Sequence, residues 1–404
     1  MGYLQNLLPK YMARLGTETH IVASNLLPYH QRDDFARTYG KFSGGSETEP
    51  GTVGTYEGCA LHILGHRRVL GHIRLQGLRA KLRAIRPDVV QTMTNVGWIG
   101  LDAALGKATL GYKLFTASHH HASVFPLAAK SLPVWSAERM RCLASRTIPG
   151  ALVSLATEKC YAITGDCADV AARFFGVPRS KLEICPLGVD TELFHPAVDH
   201  GGFTKSDLLR GELGFSGNEV VCIYTGRFSE DKNPLLLAKA VAHLALRGEP
   251  FRGLFVGDGT QARAIASFPA CVTRPFVPVR ELGDYYRAAD IGVWPTQESM
   301  SMLDAAACGL PIVANDTMSA PERLDGNGLA YRLGDWRDLA RVLLVLRDRD
   351  ARRRLGDCGA RKMELEFGWD SIAQRRLRDY EAALGGKKSS PENRTSRELL
   401  ERAE

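Results

Sequence analysis

Short apolar runs alternate along the whole chain with longer stretches whose apolar positions recur at three- and four-residue spacing. That alternation predicts an α/β fold built on parallel sheets. Thr19–Ser24, Asp88–Gln91, Lys113–Ala117, Ala162–Thr164 and Leu182–Pro186 read as strands of a first sheet. Val220–Thr225, Gly253–Val256, Cys271–Arg274, Ile291–Trp294 and Pro311–Ala314 read as strands of a second. Asp199–Gly202 and the polar stretch around Ser216–Asn218 mark a linker region between them. Leu4, Leu7, Leu8, Tyr11, Met12 and Leu15 form a helical stripe that Gly16 closes, so a helix begins almost at Met1 with no strand before it. A doubly wound domain opens with a central strand and a glycine-containing turn. The first strand is therefore expected to be missing, either because the true start lies upstream or because this copy has lost it. From Gly385 onward the residues are mostly Lys, Ser, Glu and Arg, and a frayed tail is expected.

Composition narrows the class. At 404 residues the chain has the length of two domains, and 45% hydrophobic with 24% charged content is that of a globular protein. No run approaches the length of a membrane span, and the N-terminus carries no signal-peptide pattern. The nine cysteines are dispersed with no CxxC pair, which argues against a zinc ribbon or a disulfide scaffold and for reduced thiols in the cytosol.

The net charge of +7 is unevenly placed: residues 1–196 carry 22 basic against 15 acidic side chains, and the remainder balances. Much of the excess is Arg67, Arg68, Arg74, Arg79, Lys81, Arg83 and Arg86, with no acid between Glu57 and Asp88. Leu75, Leu78, Leu82 and Ile85 give that stretch the pattern of an amphipathic basic helix. It is either a core-facing helix with a solvated rim or a surface that meets anionic lipid headgroups or a phosphate-bearing acceptor. Nucleic acid is disfavoured, because the basic stretch lacks interleaved aromatics and no nucleic-acid-binding motif is present.

Candidate chemistry concentrates in the C-terminal half. Val220–Thr225 runs into Gly226-Arg227-Phe228-Ser229-Glu230-Asp231-Lys232-Asn233-Pro234 and then a helical pattern. A glycine turn between a strand and a helix presents free N–H groups, and Arg227 with Lys232 adds two positive charges suited to a diphosphate. Ordinary surface Arg and Lys is the plainer alternative. Gly257-Asp258-Gly259-Thr260-Gln261-Ala262 spells a dinucleotide fingerprint, but it follows the second strand of its domain, so a tight turn at the sheet edge is expected. After Trp294 a polar loop carries Glu298, Ser299, Met300, Ser301 and Met302, and a small-residue helix follows with Asp304 in its early turns. In the N-terminal half His119-His120-His121 follows the strand ending near Ala117, at the sheet end where α/β folds place ligands. Three adjacent histidines make a poor metal site, so the run is either a satisfied or exposed cluster or a set of ligand contacts. The letters Asp348-Arg349-Asp350 lie in an Arg-rich helical stretch and read as solvated helix surface.

Taken together, Arg227 with Lys232, the Gly257-Asp258-Gly259 turn, Ala289-Asp290, Glu298, and Cys308-Gly309-Leu310-Pro311 resemble the retaining GT-B glycosyltransferases of family four (group 1). Cys185-Pro186-Leu187-Gly188-Val189-Asp190 through Pro196 is similar to that family's interdomain signature. Phe367-Gly368-Trp369 and the helix after it are similar to its terminal crossover helix, so the resemblance covers about residues 3–385.

The resemblance implies two Rossmann-like domains facing a cleft. Residues 1–197 would bind the acceptor, 198–368 the nucleotide sugar, 369–385 would cross back, and 386–404 would be a disordered tail. Gly226, Arg227, Lys232 and Gly257 would hold the donor pyrophosphate, Glu298 with Ser299 to Met302 the sugar and phosphate, and Asp304 the ribose. His119, with His121 second, would orient the donor sugar. Two departures stand against the family pattern: five residues rather than seven separate Glu298 from the second acid, here Asp304, and the first strand is absent. The activity implied is retaining hexosyl transfer from a UDP- or GDP-linked sugar to a hydroxyl of a glycan or lipid-linked acceptor, in surface polysaccharide or glycolipid synthesis. No metal or other cofactor is needed, because Arg and Lys supply the positive charge. The place would be the cytoplasm, at the inner face of an anionic membrane. A nucleotide-sugar epimerase of the same fold and a catalytically silent nucleotide-binding relative are the alternatives.

Overall fold

The computed structural model describes residues 3–26, 48–122, 125–129, 133, 135–197, 205–296, 299–318 and 320–385. Glu298, the linker residues Asp199–Gly202 and the tail 386–404 lie outside the described residues. The chain divides into two compact units. One takes Met1–Pro28, Ser46–Leu187 and everything from Ile372; the other holds Gly188–Ser371. The division falls within the signature Cys185–Pro196, ten residues before the border expected at 197.

In the first unit, β1 (His20–Ser24), β2 (Val53–Tyr56) and β3 (Cys59–Leu64) form one sheet in the order β1-β3-β2. β4 (His66–Val69) and β5 (His72–Leu75) form a hairpin. β6 (Val89–Gln91), β7 (Lys113–Ser118), β8 (Thr157–Ala162) and β9 (Leu182–Ile184) make a parallel sheet. The helix Tyr3–Arg14 precedes β1, and Gly16 follows it at φ 84°. Leu75, Leu78, Leu82, Ala103, Tyr112 and Leu114 make a core against which Val22 and Leu64 of one sheet and Val90 of the other pack.

Two expectations are corrected here. The basic stretch is not one helix: only Leu78–Ile85 is helical, and Leu75 ends a strand. Its first half turns at Leu70 (φ 50°) and Gly71 (φ 78°), two residues between the paired Val69 and His72. Positive φ at both central positions is the type I′ turn that matches strand twist. The hairpin sets Arg67 opposite Arg74, and Arg74 is drawn away by a bidentate pair with buried Asp102 at 2.7 and 2.8 Å. The strand expected at Ala162–Thr164 instead runs Thr157–Ala162, because Thr164 begins the next helix, Gly165–Phe174.

The second unit is a six-stranded sheet of β10 (Val220–Thr225), β11 (Phe251–Val256), β12 (Cys271–Arg274), β13 (Ile291–Trp294), β14 (Ile312–Asn315) and β15 (Gly328–Tyr331). All neighbours are parallel, in the order β12-β11-β10-β13-β14-β15. Every residue of β10, β13 and β14 is buried, as strands covered on both faces must be, which is why their apolar runs were readable. β15 is an edge strand with one buried residue and was not foreseen.

The terminal helix Trp369–Ala383 enters the first unit from Ile372 onward. There Asp379 accepts hydrogen bonds from Lys159 Nζ at 2.8 Å and Tyr161 OH at 2.6 Å, and Tyr380 packs on Phe115. Its start is pinned within the second unit, where Val189 N–H donates to Phe367 C=O and Trp369 N–H to Val189 C=O.

Candidate active site

Numbered within its own unit, the second sheet runs 3-2-1-4-5-6, and its order reverses between β10 and β13. Ligands of open parallel sheets sit at such a switch point, beyond the carboxyl ends of the strands. Three of the turns named above end there, with Glu298 outside the described residues. β10 ends in Gly226-Arg227, β11 in Gly257-Asp258-Gly259, and β13 in the loop that leads to Ser299–Ser301.

Backbone contact holds the first two turns together. Gly226 N–H donates to Val256 C=O at 3.0 Å, Phe228 N–H to Asp258 C=O at 2.9 Å, and Gln261 N–H to Phe228 C=O at 2.8 Å. A Cβ on Gly257 would lie 1.8 Å from the Gly226 carbonyl oxygen, and one on Gly259 would lie 2.5 Å from that of Phe228. The glycines are there for close approach of two backbones. Tyr224 OH donates to Arg227 C=O at 2.9 Å, which steadies the turn from below.

Arg227 is partly exposed and its guanidinium sits 3.6 Å from Asp231. Burial opposes the charge on Asp231, but the Ser229 hydrogen bond and the fields of Arg227 and Lys232 outweigh it and hold the carboxyl below its usual range. Lys232 follows on the same loop, whose amides 232 and 233 both donate to Ser229 C=O. Two acids lie between the cations, Asp231 beside Arg227 and Glu230 held by the Thr260 hydroxyl, and two cations on a strand-to-helix turn can receive a diphosphate.

The third loop is tied to the first. Trp294 Nε1–H donates to Ser301 Oγ at 3.0 Å, the Ser299 and Ser301 hydroxyls are 2.7 Å apart, and Ser301 Oγ lies 3.4 Å from Thr225 C=O. The helix that follows carries Met302 and Asp304 on its buried side. Met302 is a core side chain whose N–H is spent on Ser299 C=O, and Asp304 is 1% exposed, because the short helix Ser301–Ala307 packs all but its first residue inward. Asp290 serves the scaffold, accepting from Val221 N–H at 2.8 Å and Arg210 at 3.0 Å. Asp348 caps the helix Arg349–Leu365 through Asp350 N–H, so the Asp348-Arg349-Asp350 letters are a helix start.

In the first unit the histidines follow β7. Burial, with Arg376, His120 and His121 adding to it, pushes His119 down to about 4, so it is neutral at pH 7. Its Nε2 is buried with no hydrogen-bond partner among the described residues. His121 Nδ1 lies 3.3 Å from Asp166, which also accepts Ala122 N–H at 2.9 Å and the Thr164 hydroxyl. His121, Asp166 and buried Cys167 are close enough to surround a cation, yet both carboxylate oxygens already serve protein donors. His120 packs edge-on to Phe175, and Arg146 stacks over the same ring. Asp166 and Arg146 were not foreseen. The Thr164-Gly165-Asp166 helix start was a readable signal for the first; nothing in the sequence marks the second.

The buried histidine makes stability pH-dependent. The unfolded chain protonates this side chain near 6.5, whereas the folded chain resists until about 4. Stability from neutral His119 is therefore intact above pH 6.5 and is lost as pH falls toward 4, by up to about 3 kcal/mol. Melting temperatures measured from pH 7 to pH 4 should fall less steeply in His119→Asn than in the parent. Equal slopes would remove His119 as the cause.

Residues 219–348 match the family described as Glycosyl transferases group 1, and residues 7–193 match Glycosyltransferase Family 4. A D-inositol 3-phosphate glycosyltransferase of Xylanimonas cellulosilytica is 31% identical over 254 residues, covering 59% of this chain and 60% of the relative. The chain spans about 60% of the length of the curated relatives it matches. A glycosyltransferase from Rickettsia africae superposes with a TM-score of 0.65 at 13% identity, over 95% of this chain and 94% of that one. Anabaena HepE in complex with UDP gives 0.61 at 16% identity, over 80% and 86%. Those likenesses show the GT-B fold.

Proposed function

The chain belongs to the family 4, group 1 glycosyl transferases, and on that premise we propose that it moves a hexosyl group from a UDP- or GDP-linked sugar to an acceptor hydroxyl, with retention. The observation that carries the proposal is the pair of cations, Arg227 and Lys232, on the strand-to-helix turn at the switch point, backed by the Gly226–Gly257 contact. Arg227 and Lys232 bind the donor pyrophosphate and take up the charge that grows on the leaving diphosphate. They supply what a divalent cation supplies elsewhere, so the reaction runs without metal. The sequence offers no obvious carboxylate nucleophile, and front-face attack assisted by the leaving phosphate is the working mechanism. Neutral His119 offers a hydrogen bond to a sugar hydroxyl.

The acceptor is a glycan or lipid-linked hydroxyl in surface polysaccharide or glycolipid synthesis. Several relatives are named for D-inositol 3-phosphate, so a phosphate-bearing polyol belongs in the same assay. The basic excess of residues 1–196 suits an acidic acceptor or contact with an anionic membrane. The test is thermal unfolding with UDP, GDP or ADP in EDTA. A ligand at a hundred times its Kd adds about 2.7 kcal/mol, so one base should raise the Tm selectively. No shift with any nucleotide would overturn the donor site. A shift without product from any acceptor would favour a silent relative, and free sugar or an altered nucleotide sugar would favour an epimerase.

A further inference from the structure

The helical run Ala137–Ala156 widens into a π-turn at Leu143–Thr147 and then continues as Ile148–Ala156. Those last nine residues contain no charged side chain, which is unusual for a helix with an open face. Its inward side is fixed. Val153 is fully buried, and a Cβ on Gly150 would lie 2.0 Å from the Phe175 carbonyl, so the helix cannot roll. The outward side is therefore Ile148, Leu152 and Leu155, at i, i+4 and i+7, with Leu155 80% exposed. Met140 and Leu143 are also exposed on the preceding turns, and Trp135 before them is 83% exposed.

We propose that this face docks on an anionic lipid surface. The argument for lipid is the border. Arg139 and exposed Arg141 flank the apolar stripe with Glu138 the single acid in the run, and the stripe begins at an exposed tryptophan. Aliphatic residues to enter the acyl boundary, a tryptophan at headgroup level and arginines for the phosphates together form an interfacial helix. A second copy fits less well, because a two-fold contact would set the same arginines against each other. The helix Leu78–Ile85, which the sequence offered for this role, buries Leu78 and Leu82, and its exposed residues are Arg79, Ala80, Arg83 and Ala84, with no large apolar side chain among them. It has no apolar anchor.

This inference does not depend on the catalytic reading, and its test uses the full chain without substrates. Purified protein is sedimented with phosphatidylcholine vesicles and with vesicles containing phosphatidylglycerol. Binding is expected to the anionic vesicles, and Leu152→Glu/Leu155→Glu should weaken it about tenfold or more. Arg139→Glu/Arg141→Glu should abolish the preference for anionic lipid. Arg79→Glu/Arg83→Glu should leave binding within about twofold, since electrostatic contacts without an anchor are weak. Apart from half-buried Arg139 the changed side chains are exposed, and an unchanged Tm confirms folding. The proposal is overturned if the parent ignores both vesicles, if the leucine variant binds as well as the parent, or if the Arg79/Arg83 variant is the one that loses binding. A lipid-free dimer in sedimentation velocity that Leu152→Glu/Leu155→Glu dissolves would also overturn it, assigning the face to a second copy.

Discussion

Arg227→Ala is expected to lower kcat/KM for sugar transfer by about 10²–10³-fold, the usual cost of removing one fixed group that stabilises developing charge. The guanidinium leaves a turn whose backbone is held by Tyr224 OH, Gly226 N–H and Phe228 N–H, so the scaffold should survive its loss. Arg227 is also partly exposed and pairs with half-exposed Asp231 at 3.6 Å, so the effect on stability should be small. The informative split is between rate and folding. Initial rates in EDTA would be compared with Tm for the parent, Arg227→Ala and Arg227→Lys. Lysine should recover only part of the rate, because a point charge cannot reproduce two parallel N–H bonds to a diphosphate. Unaltered kcat/KM in Arg227→Ala would remove the pyrophosphate role altogether.

Gly257→Ala is expected to be the most damaging single methyl in the molecule's second unit, costing about 3–5 kcal/mol from overpacking and backbone strain together. The added Cβ would meet the Gly226 carbonyl oxygen at 1.8 Å, and backbone on both sides of that contact belongs to a hydrogen-bonded turn. The φ of 155° adds strain for any residue with a side chain. Relief requires β10 and β11 to part at their carboxyl ends, which also moves Arg227. Urea unfolding should show a lower midpoint, and nucleotide-induced stabilisation should vanish with it. By contrast Gly248→Ala, at φ 80° with open space around it, should cost only the about 1–2 kcal/mol of a left-handed backbone. Similar losses at both positions would mean that φ rather than the clash decides.

Much of the second unit was legible in the sequence because its strands are buried on both faces. A run such as Val220–Thr225 or Ile291–Trp294 is apolar whatever surrounds it, so its place in a parallel sheet follows from its composition. The turn residues after those strands were legible for the same reason: glycine and paired cations announce themselves at the end of an unmistakable strand. What the sequence could not decide were contacts whose signal is shared by two structures or split across the chain. His66–Leu75 fits a helix as readily as a hairpin until the Leu70-Gly71 turn and the Arg74–Asp102 pair are known. Asp166 reaches His121 across 45 residues, and no local pattern encodes that pairing. Asp304 was expected in the early turns of a helix and lies there, but that the helix packs on β13 and buries both Asp304 and Met302 was not readable from the sequence. The sequence by itself thus determined which segments are strands and which turns carry charge, since burial and propensity act residue by residue. Only the tertiary structure decided the strand order that brings three of those turns to one switch point, because order depends on how distant segments share a core.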